Sequence, residues 1–198
     1  MSLVIATRTA IIADTYCCDG NSARIWLEKT ARAANDKAVV LSAGIGYGGV
    51  VKQIHRIIAE YLLDKLTVAN AENVLRTWWQ EVYRENTDDA WRGTEMLLVV
   101  APAEDGETRG TIYHLTFHGQ VFAVNADYHA IGYRDAAWFA AGYLDAASKF
   151  QARNVRDFQV SSRALFTDCI GALQQANRRC DYVSYDYTSV YTSVKVSE

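Results

Sequence analysis

The segment MSLVIATRTAIIAD, residues 1–14, sets the pattern for the fold. Its apolar residues fall in two runs rich in Val, Ile and Thr, which predicts a pair of β-strands over residues 3–8 and 10–14. The first strand would begin directly after Ser2, and we see no leader peptide ahead of it. A strand that begins this early suggests that the N-terminus itself has a chemical role.

Length and composition favour one domain over residues 1–198. Half of the 198 residues are hydrophobic, which is enough for a sizeable core. The single proline is Pro102, and no linker rich in Pro, Gly or Ser divides the chain. The net charge of −3 is spread without a basic block, so we expect no nucleic-acid partner.

Hydropathy and cysteine usage favour a cytoplasmic protein. No apolar run is long enough to span a bilayer and no secretory signal is visible, so we expect no membrane partner. The four cysteines, Cys17, Cys18, Cys169 and Cys180, are too few for a disulfide scaffold in a chain of this length. A reducing compartment is therefore expected.

Further strands are predicted where apolar residues lie between turn signals. The segment KAVVLSAG (37–44) is apolar enough to be buried on both faces, and TEMLLVVAP (94–102) stops at its proline. Residues 109–124 favour a hairpin that turns at His118-Gly119. The tyrosine-rich tail has β-propensity and is expected to form an edge strand.

Four helices are predicted between these strands, two in each half of the chain. Apolar residues recur at helical spacing over residues 50–66 and 71–85, the second with Asn70 as its expected cap. Residues 135–147 and a last helix, from Ser161 or Ser162 through Ala176, complete the set. Strands and helices thus come in blocks, which favours an α+β protein with antiparallel sheets in a four-layer α-β-β-α sandwich.

Several short motifs follow one another in a characteristic order. They are IIAD (11–14), LEKTARAANDKAVVLSAG (27–44), AIGYRDAAWFAAG (130–142) and DYVS (181–184). Together, over nearly the whole chain, they resemble the proteasome β-subunit group of N-terminal nucleophile (Ntn) hydrolases. The nearest resemblance is to HslV-like peptidases and to short proteasome-like proteins of bacteria and phages.

The resemblance implies a role for each residue that matches a family motif. Removal of Met1 would leave Ser2 as the nucleophile, and its free α-amine would act as the general base. Asp14 and Lys29 would tune the site, and the backbone N–H of Gly44 would help to form the oxyanion hole. Asp181 and Ser184 would support the amine. No metal and no cofactor is implied.

Two departures from the family pattern concern the site directly. The nucleophile position holds serine where the family usually has threonine. The family's Gly-Ser-Gly motif is replaced by Gly132-Tyr133-Arg134, so its serine is absent.

The most specific hypothesis is a self-compartmentalising peptidase that cleaves peptides or unfolded proteins. By resemblance it would assemble with itself into a ring, a double ring or a helical stack. The sequence has no P-loop, so any unfolding would need a separate ATPase. Two alternatives stay open: an inactive assembly subunit that retains Met1, and an amidohydrolase acting on small amides.

Taken singly, each site residue also has a structural interpretation. Asp14 could be a turn residue, and Lys29 could be a solvated surface lysine. His114 and His118 are four residues apart and could share one strand face as metal ligands, but surface histidines are the commoner outcome.

Overall fold

The strands of the protein are short and lie in three groups along the chain. The computed structural model describes residues 2–18, 24–26, 28–104, 108–132, 135–154, 162–180, 183–184 and 186–193. Within them the strands are β1 (Leu3–Thr7), β2 (Ala10–Asp14), β3 (Tyr16–Cys18), β4 (Arg24–Trp26), β5 (Thr30–Ala34), β6 (Ala38–Ile45), β7 (Glu95–Pro102), β8 (Thr111–Leu115), β9 (Val121–Val124), β10 (Tyr128–Gly132) and β11 (Tyr187–Tyr191).

The helices separate these groups of strands. They are α1 (Gly48–Ile57), α2 (Ala71–Glu85), α3 (Asp89–Arg92), α4 (Ala136–Asn154) and α5 (Ser162–Arg179). A π-helical turn (Ile58–Leu62) and a 3₁₀ turn (Leu63–Lys65) continue α1. In the part of the chain that the structure describes, no helix is long and apolar enough to cross a membrane.

Two antiparallel sheets carry the fold. One has the strand order β10-β1-β2-β11, and the other has the order β5-β6-β7-β8-β9. Strands β3 and β4 form a separate two-stranded ribbon. The first sheet joins distant parts of the chain, because β1 and β2 each pair on their outer side with a strand from the second half of the sequence.

The sheets stack face to face, and alternate side chains explain why both faces of β1 are buried. Val4 and Ala6 point into the layer between the sheets, where they meet Leu41 and Leu97. Their neighbours Leu3 and Ile5 point to the opposite face, against α4 and α5. The helices α1 and α2 cover the outer face of the second sheet through Val51, Ile54, Leu75 and Trp79. The expected four-layer α-β-β-α sandwich is therefore confirmed.

Most of the predicted elements lie where the sequence pattern placed them. The first two strands, the helix over 71–85 and the hairpin around Gly119 all form, with Gly119 at φ +76° in the turn. The ribbon strands β3 and β4, the short helix α3 and the strands β5 and β10 were not predicted. Strands β5 and β10 are short segments with small or polar residues rather than apolar runs. The predicted helix over 50–66 is α1 followed by its π-helical and 3₁₀ turns.

The expected side-chain cap of α2 by Asn70 is wrong. Asn70 has φ −109° and ψ −1° instead of an extended conformation, and its side chain makes no capping hydrogen bond. The Asn70 Oδ1 atom accepts the N–H of Thr67 at 2.8 Å, and its Nδ2 atom donates to the carbonyl of Lys65 at 2.9 Å. The side chain thus stabilises the turn that enters the helix, not the helix itself.

The expectation that His114 and His118 share a strand face is also wrong. Strand β8 ends at Leu115, and His118 lies in the following turn. His114 instead contacts His129 of β10, with Nδ1 and Nε2 3.1 Å apart. No cluster of three or more metal-ligating side chains occurs among the residues that the structure describes.

The turn between β6 and α1 depends on one glycine, and this gives a first prediction. Gly46 has φ +113°, and a Cβ there would lie 2.6 Å from the carbonyl oxygen of Gly93. We expect Gly46→Ala to lower the free energy of unfolding by about 1–3 kcal/mol. Gly49, in the first turn of α1, is the matched control because a Cβ there has no atom within 4 Å. Gly49→Ala should be neutral or stabilising in urea denaturation, and equal losses for the two variants would contradict this prediction.

Candidate active site

The first two strands bring Ser2 and Asp14 together at the same end of their sheet. Ser2 precedes β1 and Asp14 ends β2, and the antiparallel register pairs Val4 with Ala13. This register places Asp14 beside the start of β1, where its Oδ1 atom accepts the backbone N–H of Leu3 at 2.9 Å. The β-hairpin therefore holds a buried carboxylate next to Ser2.

Lys29 approaches this pair from the other sheet, one residue before β5. Its Nζ atom donates to the Ser2 Oγ atom at 2.6 Å and to the Asp14 Oδ1 atom at 3.0 Å. All three residues are buried, with exposed fractions of 3% for Ser2, 0% for Asp14 and 5% for Lys29. A serine hydroxyl, a cation and an anion thus lie in one desolvated cluster that joins the two sheets.

The segment before β11 contributes the next contact. The backbone N–H of Ser184 donates to the Asp14 Oδ2 atom at 3.2 Å, and the Ser184 Oγ atom accepts the N–H of Asp186 at 3.0 Å. Ser184 therefore orients Asp14 through its main chain while its own side chain stabilises the turn. Asp181, Met1, Tyr133 and Arg134 lie outside the described residues.

Gly44 lies with Ser2 in the wall of a small surface pocket. The residues that line this pocket are Ser2, Glu28, Lys29, Gly44, Gly46, Gly48, Val51 and Lys52. A Cβ at Gly44 would clash with the Met96 Sδ atom and would lie 2.9 Å from the carbonyl oxygen of Glu95. The close packing of β6 against β7 therefore excludes a side chain at this position, and the wall beside Ser2 is formed by backbone.

Opposing effects act on the ionisation of Asp14. Burial raises the pKa of its carboxyl, whereas the Lys29 cation and the N–H groups of Leu3 and Ser184 act in the opposite direction. Since Lys29 donates to both Ser2 and Asp14, it places positive charge at the serine oxygen. A cation at this distance stabilises negative charge that develops on the oxygen during a nucleophilic attack.

A second layer of contacts, formed by His55 and Ser42, was not predicted from the sequence. The His55 Nδ1 atom lies 2.7 Å from the Ser42 Oγ atom, and its Nε2 atom lies 3.1 Å from the carbonyl oxygen of Lys29. Burial lowers the pKa of His55 to about 4, so the imidazole is neutral at pH 7. The only signals in the sequence were a histidine next to the apolar stripe of α1 and a single serine in the strand β6. Neither signal indicates a site by itself.

The stacked sheets between two helix pairs define a proteasome-like Ntn fold. Anbu (Gly-1) mutant from Hyphomicrobium sp. strain MC1 superposes with a TM-score of 0.70 at 13% identity, over 98% of this chain and 82% of that one. The helical assembly of the Anbu complex from Pseudomonas aeruginosa gives a TM-score of 0.69 at 12% identity, over 96% and 80% of the respective chains. HslV from Trypanosoma brucei superposes with a TM-score of 0.58 at 17% identity, over 98% of this chain and 99% of that one. The sequence matches no protein-family model and no curated protein.

The buried Asp14–Lys29 ion pair gives the second prediction. Lys29→Met leaves the Asp14 carboxylate buried without its cation, and we expect a loss of about 3–5 kcal/mol in the free energy of unfolding at pH 7. The loss should shrink at pH 5, because the pKa of Asp14, already raised by burial, rises further without Lys29 and the folded state then takes up a proton. Urea denaturation of Lys29→Met, of Asp14→Asn and of the double variant measures the coupling energy between the two side chains. Strictly additive losses would contradict it.

The neutral His55 gives the third prediction. Its pKa of about 4 in the folded protein lies below the ordinary 6.5, so the unfolded state binds more protons between these values. The stability that His55 contributes is therefore complete above pH 6.5 and is lost as the pH falls towards 4. Relative to His55→Gln, the wild type should lose on the order of 2 kcal/mol between pH 7 and pH 4.5. Parallel stability curves for the two proteins over this range would refute the expectation.

Proposed function

We propose that the protein is a peptidase of the Ntn type in which Ser2, exposed by removal of Met1, attacks the scissile peptide bond. The observation that carries this proposal is the contact of the Lys29 Nζ atom with both the Ser2 Oγ atom, at 2.6 Å, and the Asp14 Oδ1 atom, at 3.0 Å. A buried ion pair that also binds a serine hydroxyl has little value for stability alone, since desolvation of the two charges is costly. It is well suited to lower the energy of an alkoxide.

In the proposed reaction, the Ser2 Oγ atom bonds to the carbonyl carbon of the peptide while its proton passes to the free α-amine of Ser2. The backbone N–H of Gly44 stabilises the oxyanion of the tetrahedral intermediate. Collapse breaks the C–N bond, and the α-ammonium gives its proton to the leaving amine. Water then hydrolyses the acyl ester by the same route, which restores Ser2. Lys29 and Asp14 stay charged throughout, and Asp181 with Ser184 supports the amine.

The proposal includes self-assembly and a protein substrate. The fold likeness to Anbu, of which a helical assembly is known, supports a ring, double-ring or helical arrangement of this chain. Enclosure by such an assembly would restrict the site to peptides and unfolded proteins. A separate ATPase would then be needed to unfold folded proteins before they reach the site.

The fourth prediction tests the nucleophile. Peptidase activity should fall by at least about 1,000-fold in Ser2→Ala, because Ser2 carries the only hydroxyl among the described residues that line the pocket. Ser189→Ala is the matched control, since Ser189 lies on the edge strand β11. Ser2→Thr should retain activity because threonine presents the same hydroxyl. The readout is hydrolysis of fluorogenic peptides and of an unfolded protein.

Intact mass of the same preparation decides between the alternatives. A mass that lacks one methionine, together with the loss in Ser2→Ala, supports the peptidase. A mass that includes Met1 means that Ser2 has no free α-amine to act as the general base, and it indicates an inactive assembly subunit instead. If the protein hydrolyses small amides but not peptides, and light scattering shows that it is a monomer, an amidohydrolase is favoured.

A further inference from the structure

We propose that His55 is a positioning residue, which fixes the main chain at Lys29 so that the ammonium stays in contact with Ser2. The inference rests on the proposed function for its catalytic consequence. The contacts themselves are independent of it: His55 links Ser42 of β6 to the carbonyl oxygen of Lys29.

The hydrogen bonds determine the tautomer of His55. A backbone carbonyl can only accept a hydrogen bond, so the Nε2 atom must carry the proton that it donates to Lys29. The Nδ1 atom is then an acceptor, and the Ser42 hydroxyl donates to it at 2.7 Å. The Lys29 carbonyl thus selects this neutral form of the imidazole, and the Ser42 hydroxyl satisfies the other ring nitrogen.

Lys29 needs this support because of its place in the sheet. The β5–β6 ladder pairs Thr30 with Ala43 and continues towards Ala34, so Lys29 lies just outside the paired residues. Its side chain must nevertheless reach Ser2 and Asp14, on the other sheet, with the distances that a charged contact requires. The bond from α1 to the Lys29 carbonyl extends the ordered backbone by the residue on which the site depends.

A direct catalytic role for the Ser42–His55 pair does not fit its surroundings. A serine bonded to a histidine resembles a nucleophile and its base. The Ser42 side chain, however, points from β6 towards α1, where it contacts His55. Neither residue belongs to the lining of the pocket that contains Ser2. The pair therefore acts through Lys29 and not on a substrate.

Two amide substitutions separate positioning from packing. In His55→Gln the side-chain amide reaches the place of Nε2 and can still donate to Lys29. In His55→Asn the shorter side chain reaches only the place of Nδ1, so it keeps the hydrogen bond with Ser42 and loses the one to the Lys29 carbonyl. We expect kcat to fall about 10- to 100-fold in His55→Asn with little change in KM, because a misplaced catalytic group affects the chemical step. His55→Gln should restore most of kcat.

Chemical labelling of lysines tests the same inference without peptidase activity. Reductive methylation followed by peptide mapping compares the buried Lys29 with the exposed Lys37 in each protein. Lys29 should react about tenfold faster in His55→Asn than in the wild type or in His55→Gln, because its local opening is easier. The rate at Lys37 should be the same in all three.

The outcomes are distinct from those for the proposed function. If Lys29 is labelled faster in His55→Asn but not in His55→Gln, the positioning role is supported. This holds even if none of the three proteins cleaves peptides, and in that case only the proposed function fails. Equal labelling in all proteins overturns the inference. Equal impairment of both variants, with matching losses in thermal stability, also overturns it, since that result indicates packing only.

Discussion

The buried ion pair of Asp14 and Lys29 is the interaction on which the rest of the site depends. Removing two charges from water costs several kcal/mol per ion, so the pair persists only if other groups satisfy its remaining hydrogen bonds. Leu3 and Ser184 supply backbone N–H groups to the carboxylate, and Ser2 accepts from the ammonium. Three separated parts of the chain are thereby held at fixed positions around one serine oxygen.

This constraint explains which parts of the site could be predicted. A run of apolar, β-branched residues is a local signal, so the two strands of the β1–β2 hairpin followed from residues 1–14 alone, whereas Asp14 was assigned to the site by its match to a family motif. Lys29 also entered through the motifs that resemble the proteasome group, because its contact with Ser2 spans the gap between two sheets. No periodicity in the sequence reports such a distance.

The features that escaped prediction have a common physical cause. Strands β5 and β10 contain small and polar residues, and they are strands because neighbours offer a ladder to complete, not because of their own propensity. His55 is similar, since its function depends on Ser42 and on a backbone carbonyl that only the folded chain brings within reach. Asn70 shows the converse: its residue type favours a helix cap, but the preceding turn engages its side chain.

The pairing of β2 with β11 has a consequence for the order of events during synthesis. Asp14 leaves the ribosome well before Ser184, whose N–H donates to its carboxylate and which follows 170 residues later in the chain. Until then the β2 edge of the hairpin is not covered by β11, and the Asp14 carboxylate lacks the hydrogen bond from Ser184. Contacts this distant in sequence form late, since the loop that they close is large. The nascent chain therefore carries an unfinished site, and the geometry around Ser2 is completed only after Ser184 has been synthesised.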